Sequence, residues 1–147
     1  MILSSKLYKY DWYHDYDENI EANFTWGETF SNVKHGLIRY KRVVEPYGVY
    51  WNNTMKEATL LQQIRNAAGS PIIIDRWFSI PEYNALIGGV CDSQHLFSLA
   101  ADCVRPKTWT MGQYFAFVNK TAATGIGVGS NYLHIDIRND SKRIWYY

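Results

Sequence analysis

Tyr132-Leu133-His134-Ile135-Asp136-Ile137-Arg138 alternates apolar strand formers with polar and ionisable residues. Successive side chains of a strand point to opposite faces. Leu133, Ile135 and Ile137 therefore go to a core, while Tyr132, His134, Asp136 and Arg138 share the other face. Upstream lies Ser93-Gln94-His95-Leu96-Phe97-Ser98-Leu99-Ala100-Ala101-Asp102. A separation of seven puts His95 and Asp102 on one face of a continuous helix but on opposite faces of a continuous strand. Leu99 to Val104 favours a strand, so the reading is a loop carrying His95 followed by a strand carrying Asp102. The chain has 4 His, and two of them fall in these segments. His95, Asp102 and His134 would fill three corners of a tetrahedral zinc and leave the fourth to water, the composition of a catalytic site rather than a closed structural one.

Working outward, Asn53 to Ala68 reads as the main helix. Met55, Ala58, Leu61, Ile64 and Ala68 recur at three and four as a stripe for burial, leaving Lys56, Glu57, Gln63 and Arg65 on or near the outer surface. Gly69-Ser70-Pro71 ends it. Thr108 to Lys120 is a second helix, capped by Thr108 or Thr110, with Met111, Tyr114, Phe115 and Val118 for the core. Ile72 to Ile74 is wholly apolar and predicts a central strand covered on both faces. Pro81 and Gly88-Gly89 mark a loop with about one helical turn before the His95 segment. Gly125-Ile126-Gly127-Val128-Gly129 predicts a strand that another group approaches closely. Thr25-Trp26-Gly27-Glu28 has the spacing of a capping box, predicting a short helix over 26–33 that stops at His35-Gly36. The fold class is α+β: a small antiparallel sheet with two main helices packed against it. Residues 1–21, mixing Tyr and Asp with His14, read as an arm or contact surface, and 22–147 as the domain.

At 147 residues the chain can bury a core of its own. A net charge of +1 offers no electrostatic footprint for nucleic acid. No window approaches the apolar length of a membrane helix, and Met1-Ile2-Leu3-Ser4-Ser5-Lys6 does not resemble an export signal, so synthesis in the cytoplasm without membrane insertion is expected. Cys91 and Cys103 have no spacing that suggests a disulfide framework, and Cys103 reads as a buried thiol. The aromatic share of 16% suits both core burial and recognition of sugars or peptides.

Ser93-x-His95-x-x-Ser98-x-Ala100-x-Asp102, followed by His134-Ile135-Asp136-Ile137-Arg138, resembles the zinc peptidases of the M15 class. These are D-Ala-D-Ala carboxypeptidases and L-Ala-D-Glu endopeptidases that share a fold with hedgehog-type and lysostaphin-type domains. Asn23 to Glu28 resembles the family's opening segment, and Pro71 to Ile74 its first core strand. Asn84 to Gly89 resembles the stretch before the first metal ligand, and Gly125 to Val128 the strand before the last. The likeness covers about residues 22–138. Two departures stand out. Ser98 replaces a usual Gly, which matters if that position needs a positive φ. Asp75-Arg76-Trp77-Phe78 stands where the family usually has Ser-Gly-Tyr-Arg, so Phe78 occupies the place of a substrate-holding arginine that Arg76 would have to supply.

The resemblance implies Zn²⁺ held by His95, Asp102 and His134, and a peptide substrate from peptidoglycan cut beside a D-amino acid. Some relatives have an acid three residues before the last His, where this chain has Asn131, so Asp136 is the candidate acid, as base or as the partner that orients an imidazole. Arg138 pairs with Asp136 or holds a substrate carboxylate. Tyr132 stabilises an oxyanion or is structural. Arg76 and Ser93 complete the expected substrate contacts. The protein is expected to be a monomer or virion-associated, reaching the wall after release or as part of a virion. The other reading is a tail or wall-binding protein that keeps the fold and a zinc without catalysis.

Overall fold

The structure is a computed structural model that describes residues 17–29 and 46–147. His14, His35 and the second half of the helix expected over 26–33 lie outside those residues. Strands β1 (Asn19–Glu21) and β2 (Phe24–Thr25) form a hairpin, followed by a 3-10 turn over Trp26–Thr29. The capping box is half made, with Glu28 Oε2 accepting from the Thr25 N–H at 2.8 Å. Helix α1 (Trp51–Ala68) begins two residues before its expected start and carries the hairpin: the Asn23 N–H donates to Gln62 Oε1 at 2.9 Å, and the Thr59 hydroxyl to Glu21 Oε1 at 2.7 Å.

The buried stripe of α1 differs from the expected one: Met55 drops out, and Thr54, Glu57, Leu60 and Gln62 join it. Met55 is 44% exposed, whereas Glu57 is fully buried. Helical geometry accounts for both. Thr54, Glu57, Ala58, Leu61, Ile64 and Ala68 follow the three-and-four spacing, which excludes Met55 and includes Glu57 whatever its polarity.

The remaining elements are β3 (Ile74–Arg76), α2 (Pro81–Leu86), a 3-10 turn over Gln94–Phe97, β4 (Ala100–Val104), α3 (Met111–Val118), β5 (Gly125–Val128), β6 (Tyr132–Asp136) and β7 (Arg143–Tyr146). Thr110 caps α3 with a complete box: its hydroxyl accepts from the Gln113 N–H at 3.2 Å, and Gln113 Oε1 from the Thr110 N–H at 2.9 Å.

The five-stranded sheet has the order β3-β4-β6-β5-β7. It is mixed rather than purely antiparallel, because β7 runs parallel to β5 while the other pairs are antiparallel. The reason lies in the connection. β6 ends at Asp136, opposite Gly125 at the start of β5, and the short link 137–142 delivers Arg143 to that same end on the other edge of β5. A strand begun there has to run with β5. The apolar run Ile72 to Ile74 also departs from expectation. It leads into β3 at the edge of the sheet, and Ile73 is 58% exposed.

One sheet face carries the core. Ala101, Cys103, Ile126, Leu133 and Ile135 are all fully buried against Ala58, Leu61 and Ile64 of α1 and Tyr114 and Val118 of α3. The Tyr114 hydroxyl donates to the Cys103 carbonyl at 3.5 Å. Cys103 is thus a buried thiol outside any disulfide, and Cys91 is exposed.

Candidate metal centre

On the other face, the registers align one residue from each strand in a single row. Arg76 stands opposite Asp102, Asp102 opposite His134, His134 opposite Gly127, and Gly127 opposite Trp145. Directly opposed residues point to the same side of a sheet. His95 comes to this row from the 3-10 turn after Ser93, fully buried. That turn ends at Ser98 in the left-handed conformation (φ 56°), and the Ser98 hydroxyl lies 2.7 Å from that of Thr54 on α1.

His95, Asp102 and His134 converge. His95 Nε2 lies 3.2 Å from Asp102 Oδ1 and 3.1 Å from His134 Nδ1, which is itself 2.9 Å from Asp102 Oδ1. The far side of each ring decides what these atoms can do. His95 Nδ1–H donates to the Trp77 carbonyl at 2.7 Å, and His134 Nε2–H donates to Asp136 Oδ2 at 3.0 Å. In the neutral tautomers the two facing nitrogens then carry bare lone pairs beside a carboxylate oxygen. Three acceptors turned on one another suit a shared cation. Their separations approach the edge of about 3.3 Å for a tetrahedral ion with ligands at about 2.0 Å. The residues fit a divalent metal of zinc type, held by His95 Nε2, His134 Nδ1 and Asp102 Oδ1, and they are the one such group among the described residues.

Electrostatics agree. Burial works against charge on Asp102, but the two imidazoles outweigh it and hold the carboxyl well below the usual carboxylate range. Burial pushes the His95 pKa down, which favours the neutral ligand form. Burial also opposes charge on His134, yet its hydrogen bonds to Asp102 and Asp136 prevail and raise its pKa. A proton on His134 Nδ1 therefore competes with a metal for the same lone pair.

Behind the three lies a supporting layer. Asp136 is fully buried between His134 and Arg138, whose Nε donates to Asp136 Oδ1 at 2.9 Å. Burial raises the Asp136 pKa, but hydrogen bonds from Arg138 and His134 dominate and keep the carboxylate ionised. Asp136 thus sits behind the imidazole, on the side away from the ligand cluster. A Cβ at Gly125 would come within 2.2 Å of this carboxylate, so glycine in β5 makes its place. Arg76 Nε donates to Asp102 Oδ2 at 3.1 Å. Tyr132 is half-buried, 5.7 Å from the Tyr147 ring, and Ser93 is buried at the start of the His95 turn. Phe78 is buried against Tyr47, and Asn131 is exposed with its side-chain oxygen accepting from Arg105.

Residues 27–136 match the family model described as Peptidase M15. The chain belongs to the M15 peptidase family. No curated protein matches it. All three candidate ligands lie inside the matched residues. The described residues include no helix long and apolar enough to cross a membrane.

Two participants in this candidate site were not named from the sequence, and one contact of a named residue was not foreseen. The Trp77 carbonyl is a backbone group with no signature in residue type. Trp145 depends on a parallel register that pattern reading does not supply. Arg76 is expected as a substrate contact, whereas its contact with Asp102 rests on cross-strand pairing.

Proposed function

We propose that this chain is a zinc-dependent peptidase that hydrolyses a peptide bond next to a D-amino acid in peptidoglycan stem peptides. The observation that carries the metal part is the meeting of three acceptor atoms whose other sides are already hydrogen-bonded. The substrate part rests on the M15 family and on the likeness of residues 93–102 and 134–138 to its wall-acting members. When bound, the ion lowers the pKa of its water to about 7 and polarises the scissile carbonyl.

The chain's own residues do the rest. Trp77 and Asp136 fix the two rings with their coordinating nitrogens turned inward. Arg76 holds one oxygen of Asp102, leaving the other for the ion, and its remaining N–H groups are the candidate grip for a substrate carboxylate. Arg138 keeps Asp136 charged and so keeps the His134 Nε2 proton in place. Tyr132 is the candidate hydroxyl for a developing oxyanion, and Ser93, whose carbonyl accepts from the Leu96 N–H at the start of the His95 turn, is a candidate substrate contact. The protein would act as a monomer or in a virion, on the wall, after release from the cell that makes it.

A second reading, a wall-binding or tail component that retains the zinc, draws on Phe78 and Asn131: the first presents no charge to a substrate, and the second has no proton-accepting carboxylate. Incubating the purified chain with muropeptides, with and without a chelator, separates the two. Chelator-sensitive cleavage supports the peptidase. One equivalent of bound zinc with intact muropeptides supports the binder and overturns the enzyme.

A further inference from the structure

The family match ends at Asp136, yet the row of side chains across the sheet does not. Its fifth member is Trp145 on β7. The position between Trp145 and His134 is Gly127, where a Cβ would stand 2.7 Å from the indole. Glycine is therefore what allows the ring to lie over the β5 backbone and reach across it. The indole meets the His134 ring at 5.1 Å between centroids, with planes at 52°. The Arg138 guanidinium lies 5.5 Å from the same indole, so one aromatic surface touches both the imidazole and the cation that keeps Asp136 charged. On its other side His134 meets His95 edge-on at 4.9 Å.

Hydrogen bonds to Asp102 and Asp136 aim the two nitrogens of the His134 ring, but each bond tolerates a spread of angles and so leaves the ring some freedom to tilt. A flat group against the ring removes that freedom. We propose that Trp145 is a positioning residue for the metal centre: packed across Gly127, it locks the His134 imidazole in its coordinating orientation and steadies the Arg138–Asp136 pair behind it. This rests on the metal reading of His95, Asp102 and His134. It makes β7 part of the working site although the strand contributes no ligand.

The test is metal affinity, measured on Trp145→Ala, Trp145→Phe and Gly127→Ala in the full chain. Zn²⁺ is titrated against a competing chelator, and Co²⁺ is used as a spectroscopic probe of ligand geometry. Trp145→Ala is expected to weaken Zn²⁺ binding roughly tenfold, in line with other groups that orient a ligand from behind, and to shift the Co²⁺ absorption bands. Gly127→Ala, which pushes the indole away without removing it, should move both readouts the same way. Trp145→Phe keeps a flat ring and should recover most of the affinity. A purely structural role would lower the urea midpoint of the metal-free protein while leaving Zn²⁺ affinity and Co²⁺ bands at wild-type values, and that result overturns the proposal. If Trp145→Ala does not fold, Gly127→Ala and Trp145→Phe decide by the same criteria. A wild-type chain that binds neither metal sinks the metal reading and this inference with it. Wild-type binding that Gly127→Ala and Trp145→Ala both match sinks the positioning role alone.

Discussion

The two faces of the five-stranded sheet are built from the same strands and obey opposite rules. Toward α1 and α3, Ala101, Cys103, Leu133, Ile135 and Ile126 are apolar and fully buried, and their arrangement tolerates neighbours of similar volume. On the opposite face, Arg76, Asp102, His134 and Asp136 are mostly buried as well, but each is matched to a named partner atom. Burial is thus common to both faces. What differs is whether position or only volume is specified. On the helix side Glu57 stands apart, since its two carboxyl oxygens are buried without a hydrogen-bond partner among the described residues.

The largest expected effect breaks the specified face. His134→Ala removes one of the three candidate ligands and should abolish stoichiometric zinc binding. It should cut any peptidase activity by at least about a thousandfold, since a metal supplies several kcal/mol of charge stabilisation. Metal analysis and cleavage assays check this, and retention of one zinc per chain would contradict the ligand set. The corresponding break on the helix side is Leu133→Ala, one residue away. It should destabilise the fold by about 2–5 kcal/mol in urea denaturation. Its zinc stoichiometry should hold wherever the chain remains folded, because Leu133 faces away from the row. If Leu133→Ala lost zinc in the folded state, the two faces would not be independent.

The neighbouring fates of Leu133 and His134 show how much was legible beforehand. Alternation over residues 132–138 is a local property of the chain, so both the core face and the reactive face could be read from it. The convergence of His95 with Asp102 follows only from likeness to a family, because a residue inside a single short 3-10 turn has no periodicity to place it. The parallel strand β7 was missed, and Trp145 with it, since nothing in Arg143 to Tyr146 says which edge the strand will join. Glu57 was assigned outward because its charge outweighed its helical phase. The phase proved correct.

Glu57 also gives the next prediction. Burial first, and the Asp136 carboxylate second, raise its pKa well above the usual carboxylate value. A folded pKa above the unfolded value of about 4.3 means that the folded state holds its proton longer. The stability this contributes is fully present below about pH 4 and is lost as pH rises through the folded pKa. Glu57→Met keeps similar volume and removes the unpaired acceptors. It should stabilise the protein by at least about 1 kcal/mol at neutral pH, the lower end of the cost of an unsatisfied buried group. The gain should be larger at pH 8 than at pH 5. Urea curves at both pH values test this, and equal gains would show that the carboxyl does not titrate differently in the fold.

The smallest effect concerns Ser98, where specified and unspecified packing meet. Its left-handed backbone (φ 56°, ψ 28°) is a conformation that favours glycine, and a side chain there costs about 1 kcal/mol. Against that stands the buried hydroxyl pair with Thr54 at 2.7 Å, a contribution of similar size that ties the His95 turn to α1. The two effects nearly cancel, so Ser98→Gly should leave the urea midpoint within about 0.5 kcal/mol of wild type. Ser98→Ala keeps the strain and loses the hydroxyl, and should be less stable by about 1 kcal/mol. If instead Ser98→Ala matched wild type while Ser98→Gly gained stability, the Thr54 contact would contribute nothing. The serine would then be only a strained replacement for glycine beside the metal ligand.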